Sequence, residues 1–119
     1  MIDEIVRDEI YKGYRILVKK IGYSLSFSDV TVPTYWYCGY VVLSEDERYP
    51  KLDVDEIYKL DVHGGITYRG GMQGIDGYLI GFDCGHGFDD PLVQDEEYTL
   101  GECKHLVDQL EVGVWELKN

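Results

Sequence analysis

Tyr35-Trp36-Tyr37-Cys38-Gly39-Tyr40-Val41-Val42-Leu43 is the stretch that decides the fold class. It is aromatic or β-branched at most positions and carries no charge, a composition that fits a pleated, buried surface. It reads as a strongly apolar, aromatic strand. Upstream, Tyr14 to Ile21 is also rich in β-formers. Tyr23 to Val32 alternates in part, with Tyr23, Leu25 and Phe27 against serines. Both read as strands, with Gly22 at a turn between them and Pro33 as punctuation. Ile2 to Lys12 is ambiguous, because Ile2, Ile5, Val6, Ile10 and Tyr11 space nearer to a helix than to an alternation.

Downstream, Ser44 to Lys51 is a charged loop and Asp53 to Leu60 a short helical turn. Val62 to Tyr68 and Gly77 to Phe82 read as strands, separated by a loop at Gly70-Gly71-Met72-Gln73-Gly74. Gly85 to Glu97 reads as an acidic loop, and Val112 to Leu117 as a final strand. Thr99 to Leu110 is the clearest helix: at 100° per residue, Leu100, Cys103, Leu106, Val107 and Leu110 share one stripe. The expected class is α+β, an antiparallel sheet with a C-terminal amphipathic helix packed on it. The 119 residues fit one domain, 1–119.

Composition narrows the function classes. The net charge is −12 and hydrophobic residues make up 45%, so the chain is acidic but able to build a core. An acidic surface repels phosphate, which argues against direct nucleic-acid binding and favours a basic protein partner. No apolar run approaches the roughly 20 residues of a membrane helix. Met1-Ile2-Asp3-Glu4 lacks the basic start of a signal peptide, so a cytosolic location is expected. Three cysteines, an odd number, do not suit a disulfide framework.

Cysteine and histidine cluster in the second half of the chain. His63 precedes Gly64-Gly65, Cys84-Gly85-His86 follows an apolar strand, and Cys103 lies on the inward stripe of the helix. Together His63, Cys84, His86 and Cys103 form a Cys2His2 set, the donor count of a closed tetrahedral Zn²⁺ site. The flanking glycines permit close backbone approach to an ion. Cys38 lies apart on the aromatic strand, as a core or edge residue, and His105 falls on the polar side of the helix. Any one of these residues alone would read as an inert buried thiol or a hydrogen-bonded imidazole. Four ligands leave no open position for water, so the expected metal is a structural staple and the protein not an enzyme. Asp83 could serve as a base or orient a ligating histidine. The H-x-E…P-C-x-x-C signature of deaminases and H-E-x-x-H are both missing.

Val62-His63-Gly64-Gly65-Ile66-Thr67-Tyr68, Ile80-Gly81-Phe82-Asp83-Cys84-Gly85-His86 and Gly101-Glu102-Cys103 resemble a family of small phage and prophage proteins. Its members carry His-Gly-Gly-(Leu/Ile)-Thr-Tyr, Gly-Phe-Asp-Cys-Ala-His and an Ala-Glu-Cys helix start. The resemblance covers about residues 60–110. Gly85 and Gly101 replace alanines, and Gly87-Phe88-Asp89 stands where the family has Ala-Gly-Asp. The resemblance implies the same four metal positions. In size and charge the chain is also similar to type II-A anti-CRISPR proteins, which inhibit Cas9. That similarity implies an inhibitor in the bacterial host cytoplasm, docked on the basic recognition lobe or motif-reading surface of Cas9 or its guide-RNA complex and blocking target DNA. Candidate contact acids are Ser44-Glu45-Asp46-Glu47, Asp53-Val54-Asp55-Glu56, and Asp89-Asp90 to Asp95-Glu96-Glu97. The competing expectations are a small zinc-dependent hydrolase or nuclease, and a phage structural or regulatory protein without inhibitory activity.

Overall fold

A computed structural model of the chain describes residues 2–44 and 54–112. Five strands form one antiparallel sheet in the order β1-β2-β3-β5-β4. The strands are β1 (Ile2–Tyr11), β2 (Tyr14–Phe27), β3 (Val30–Ser44), β4 (Tyr68–Met72) and β5 (Ile75–Asp83). A short helix, α1 (Val54–Tyr58), precedes β4, and α2 (Glu96–Val112) follows β5. The α+β class and the packed C-terminal helix are as expected from the sequence.

The quoted aromatic stretch is central: β3 pairs with β2 on one side and β5 on the other. Ile16, Val18, Val41, Ile80 and Phe82 bury their side chains on the face covered by α2. The helix contributes Leu100, Cys103, Leu106, Val107 and Leu110, the predicted stripe, while Ile57, Leu60, Val62 and Ile66 close one end. Gly39 is what lets the layers approach. A Cβ there would stand 2.4 Å from the Phe82 ring and 2.7 Å from the Cys103 sulfur. Only a residue without a side chain fits that contact.

Several expectations about elements are corrected. The ambiguous stretch Ile2 to Lys12 is a strand over Ile2–Tyr11, not the helix its spacing leaned toward. Its register shifts between Ile5 and Arg7, and this bulge breaks the alternation that marks a strand. Gly22 is not a turn: it sits within β2, paired with Ile2 and Tyr35. A Cβ on it would meet the Thr34 carbonyl oxygen at 2.5 Å, so the glycine permits close strand approach. Pro33 does not interrupt β3, where it stands opposite Ser24.

The glycine stretch at 70–74 is largely strand. β4 carries an irregularity between Gly70 and Met72, and Gly70 adopts φ +139° there. Residues 62–67, expected as strand, are irregular. α2 starts three residues before the predicted Thr99, because Asp95 caps it. The Asp95 carboxylate accepts the Tyr98 N–H at 2.9 Å. The last predicted strand falls on Val112, which ends α2, and on residues 113–117, which lie outside the described residues. Among the described residues no helix is long and apolar enough to cross a membrane.

Candidate metal centre

Three segments meet beside the N-terminal end of α2. The first is the turn Val62-His63-Gly64-Gly65, closed by Gly65 N–H donating to the Val62 carbonyl at 2.9 Å. Both glycines take positive φ, +70° and +80°. Side chains of α2 zip this segment in place of a strand partner. Gln109 accepts from the Asp61 N–H at 2.7 Å and donates to the Asp61 carbonyl at 2.6 Å. Glu102 accepts from the His63 N–H at 2.9 Å. The backbone groups of this stretch are therefore served by α2, by the turn bond and by the Thr67 N–H, which donates to the Gly81 carbonyl at 2.9 Å.

The second segment is the loop after β5, from Cys84 to Pro91. Asp89 folds back on it, accepting the His86 N–H at 2.9 Å while its own N–H donates to the His86 carbonyl at 2.9 Å. The third is Tyr98 in the first turn of α2.

The imidazoles of His63 and His86 converge on one carboxylate. His63 Nε2 lies 2.7 Å from Asp89 Oδ1, and His86 Nδ1 lies 3.0 Å from Asp89 Oδ2. His63 Nδ1 is 2.9 Å from the Tyr98 hydroxyl, and the two rings meet edge to face. Gly64 backs the His86 ring: a Cβ there would stand 2.3 Å from Cε1. Burial alone would raise the Asp89 carboxyl. The hydrogen bonds from the His63 ring, the His86 backbone and the His86 ring outweigh it and hold the group below the usual carboxylate range. The Asp89 side chain keeps only 9% of its exposure, against 43% for His86, so the cluster opens toward solvent on the His86 side.

Two of the four expected ligands are thus brought together, His63 and His86. The thiols are placed elsewhere. Cys84 turns into the core against the Thr99 hydroxyl, 3.7 Å away, and Cys103 donates to the Leu17 carbonyl at 3.7 Å. Burial pushes the Cys84 thiol up to about 11 and Cys103 up to about 12. Neither sulfur belongs to the group of ligand atoms that His63 and His86 form. Asp89 takes the third place instead. Its ligand atom and those of His63 and His86 lie within 4.8 Å of one another, and this group can hold a metal ion. Asp89 was present in the sequence as His86-x-x-Asp89, a spacing that brings two side chains together only when the loop turns as it does here. Cys38 is buried away from the cluster, and His105 is exposed on α2 near Asp61, as predicted.

Two histidines and a carboxylate fit a divalent transition metal and leave coordination positions free. A cavity of about 290 Å³ adjoins the site, lined by Trp36, Cys84, Gly85, His86, Asp89 and Pro91 among others. Tyr98 can reverse its role on metal binding. With Nε2–H donating to Asp89, the neutral His63 ring would accept the Tyr98 hydroxyl at Nδ1; with an ion on Nε2, Nδ1–H would donate to Tyr98.

The acids of this region are mostly engaged within the fold. Arg7 binds Glu96 at 3.2 Å and also pairs with Glu97, and Asp95 caps α2. Asp90 accepts the Leu92 N–H at 2.9 Å. Of the other two candidate runs, Glu45 to Glu47 and Asp53 lie outside the described residues, Asp55 is exposed and Glu56 is buried. What the loop does present is apolar: Phe88, Leu92 and Val93 are exposed. No protein family, curated protein or solved structure matches this chain.

Proposed function

We propose that the chain is a non-catalytic, acidic binding protein that docks on a basic protein surface through the loop carrying Phe88, Leu92 and Val93. The observation that carries this reading is the contrast within that loop. Its base is pinned by Asp89 to two histidines, while its apolar side chains stand clear of the fold. Large apolar groups on a held loop, ringed by polar groups, have the anatomy of an interface hot spot. Zn²⁺ on His63, His86 and Asp89 would lock the same base and lower the ordering cost of binding.

The net charge of −12 draws the protein to basic partners and away from phosphate. The partner proposed is Cas9, in the bacterial host cytoplasm, supported by the resemblance to small phage proteins and by the positive channel Cas9 presents to its guide and target. The test is target-DNA binding by Cas9–guide complex with increasing amounts of the protein. Inhibition that is weakened by salt and lost in a Phe88→Ala/Leu92→Ala variant is expected; undiminished DNA binding at excess protein would overturn the Cas9 assignment. For the metal, calorimetric titration with Zn²⁺ should show one ion per chain, weakened in Asp89→Asn. Absence of binding removes the zinc clamp. A sulfur-to-metal charge-transfer band in the Co²⁺-substituted protein would return Cys84 to the ligand set.

The free coordination positions and the adjoining cavity favour a second reading, a zinc-dependent hydrolase or nuclease. It requires Zn²⁺-dependent cleavage of an ester or phosphodiester that disappears in Asp89→Asn. The negative field disfavours a nucleic-acid substrate, which is why binding is the preferred reading.

A further inference from the structure

The β2–β3 hairpin outruns the rest of the sheet. Among the described residues, β1 pairs no further along β2 than Gly22, and β5 no further along β3 than Cys38. Residues 23–27 of β2, paired with residues 30–34 of β3, therefore form a two-stranded arm. Five residues at about 3.4 Å each carry its tip about 17 Å beyond the end of β1.

The hydrogen-bond parity of the arm follows from its turn. Ser28-Asp29 is a two-residue connection with Ser28 at φ +52°. Its flanking residues, Phe27 and Val30, make a hydrogen-bonded pair. Alternation then directs the backbone of Leu25 and Tyr23 toward β3, and the N–H and C=O of Ser24 and Ser26 outward. Pro33 obeys the same parity. Standing opposite Ser24, it turns its donorless nitrogen to the outer side of β3. The free edge of β3 is thus blunted by proline. The free edge of β2 offers two donors and two acceptors with no proline, bulge or charge, the condition under which edges pair.

The sequence of that edge has two-fold character. Tyr23-Ser24-Leu25-Ser26-Phe27 reads aromatic, serine, leucine, serine, aromatic from either end. We infer that it is a homodimer interface, with β2 pairing antiparallel to β2 of a second copy across a two-fold axis at Leu25. In that register Ser24 meets Ser26 of the second copy, and the reverse, in two hydrogen-bonded pairs. Leu25 meets its own equivalent in the closer, non-hydrogen-bonded geometry, with Cα atoms about 4.5 Å apart. Leu25 and Tyr23 are 40% and 44% exposed in the single chain, so apolar surface remains to be covered. Charge at the arm permits the same occupant. Two bodies of −12 repel, yet residues 23–28 are uncharged and most of the arm lies beyond the screening length of about 8 Å at physiological salt.

Sedimentation equilibrium over a range of protein concentrations tests this. The full chain should populate a dimer that tightens as salt rises. Ser26→Pro removes an outward N–H from the free edge while leaving the β2–β3 ladder intact. It should weaken association about tenfold or more, since two bonds are lost by symmetry, with an unchanged urea midpoint at dilutions where both proteins are monomeric. Leu25→Cys in a glutathione redox buffer should form a disulfide-linked dimer, because the expected Cα separation suits a disulfide. A full chain that stays monomeric at every concentration, or a dimer that Ser26→Pro leaves intact, overturns the inference.

Discussion

Gly64 and Gly65 isolate what one methyl group does to the candidate site. Both have positive φ, so alanine at either pays the left-handed penalty of about 1–2 kcal/mol. Only at Gly64 does the new Cβ also collide, with the His86 ring at 2.3 Å; at Gly65 it meets nothing within 4 Å. Gly65→Ala should lower folding stability and leave Zn²⁺ affinity unchanged. Gly64→Ala should lower both, with affinity falling about tenfold or more as His86 is displaced. Urea unfolding and Zn²⁺ titration of the two variants read the difference. The three thiols give a second prediction at this scale. Burial raises Cys38 and Cys84 to about 11 and Cys103 to about 12, above the value of about 8.5 for a free thiol. Above about pH 8.5 the unfolded chain releases these protons while the folded one keeps them, so each thiol lowers stability by up to about 1.4 kcal/mol per pH unit until its folded pKa is reached. Urea unfolding of the metal-free protein between about pH 8 and 10 should show the decline, and Cys103→Ser should make it shallower. In the native protein at neutral pH the three cysteines should resist alkylation until denaturant is added.

At the scale of elements, periodicity was readable wherever nothing interrupted it. The stripe on α2 and the central parts of β2 and β3, Tyr14 to Ile21 and Tyr35 to Leu43, follow from composition alone, whereas the hairpin turn at Ser28-Asp29 was read as strand and Gly22 as a turn. The failures share a cause. Val6 lies at a bulge that puts two neighbouring residues out of alternation, and the glycines of β4 serve an irregular edge strand rather than a loop. Residues 62–67 carry apolar Val62 and Ile66 and so looked like strand, yet the segment from Asp61 is ordered by Glu102 and Gln109, 39 and 48 residues away from His63 and Asp61 and invisible to a local pattern. The site was legible to the same extent. His63 and His86 stood out as residue types, whereas Asp89 was hidden among acids and the cysteines drew attention that belongs to the core. The early start of α2 rests on Asp95, which was read as one more loop acid. Asp95→Ala should cost about 1 kcal/mol by loss of the cap. It should also disturb Tyr98, so hydrogen exchange in the first turn of α2 and Zn²⁺ affinity should both respond.

Over the whole molecule, charge and architecture are at odds. There are 23 acidic and 11 basic residues, and the sheet must hold them together against their own field. Several of the described cations tie strands and helix together. Arg7 on β1 meets Glu96 and Glu97 at the start of α2, Lys12 meets Asp108 at 2.8 Å, and Arg15 meets Asp8 at 2.8 Å. These pairs are at least partly exposed, and exposed pairs contribute little each. Screening therefore weakens a small attraction and a larger repulsion together, and the repulsion governs the sign. Stability should rise with salt: the urea midpoint at about 0.5 M NaCl should exceed that at about 0.02 M, where the screening length is several-fold longer. Arg7→Ala, which also leaves Glu96 and Glu97 uncompensated against β1, should be destabilised most at low salt and approach the parent as salt increases. A midpoint that falls with salt in the parent would mean that the Arg7 network, not the net charge, dominates the electrostatics of folding.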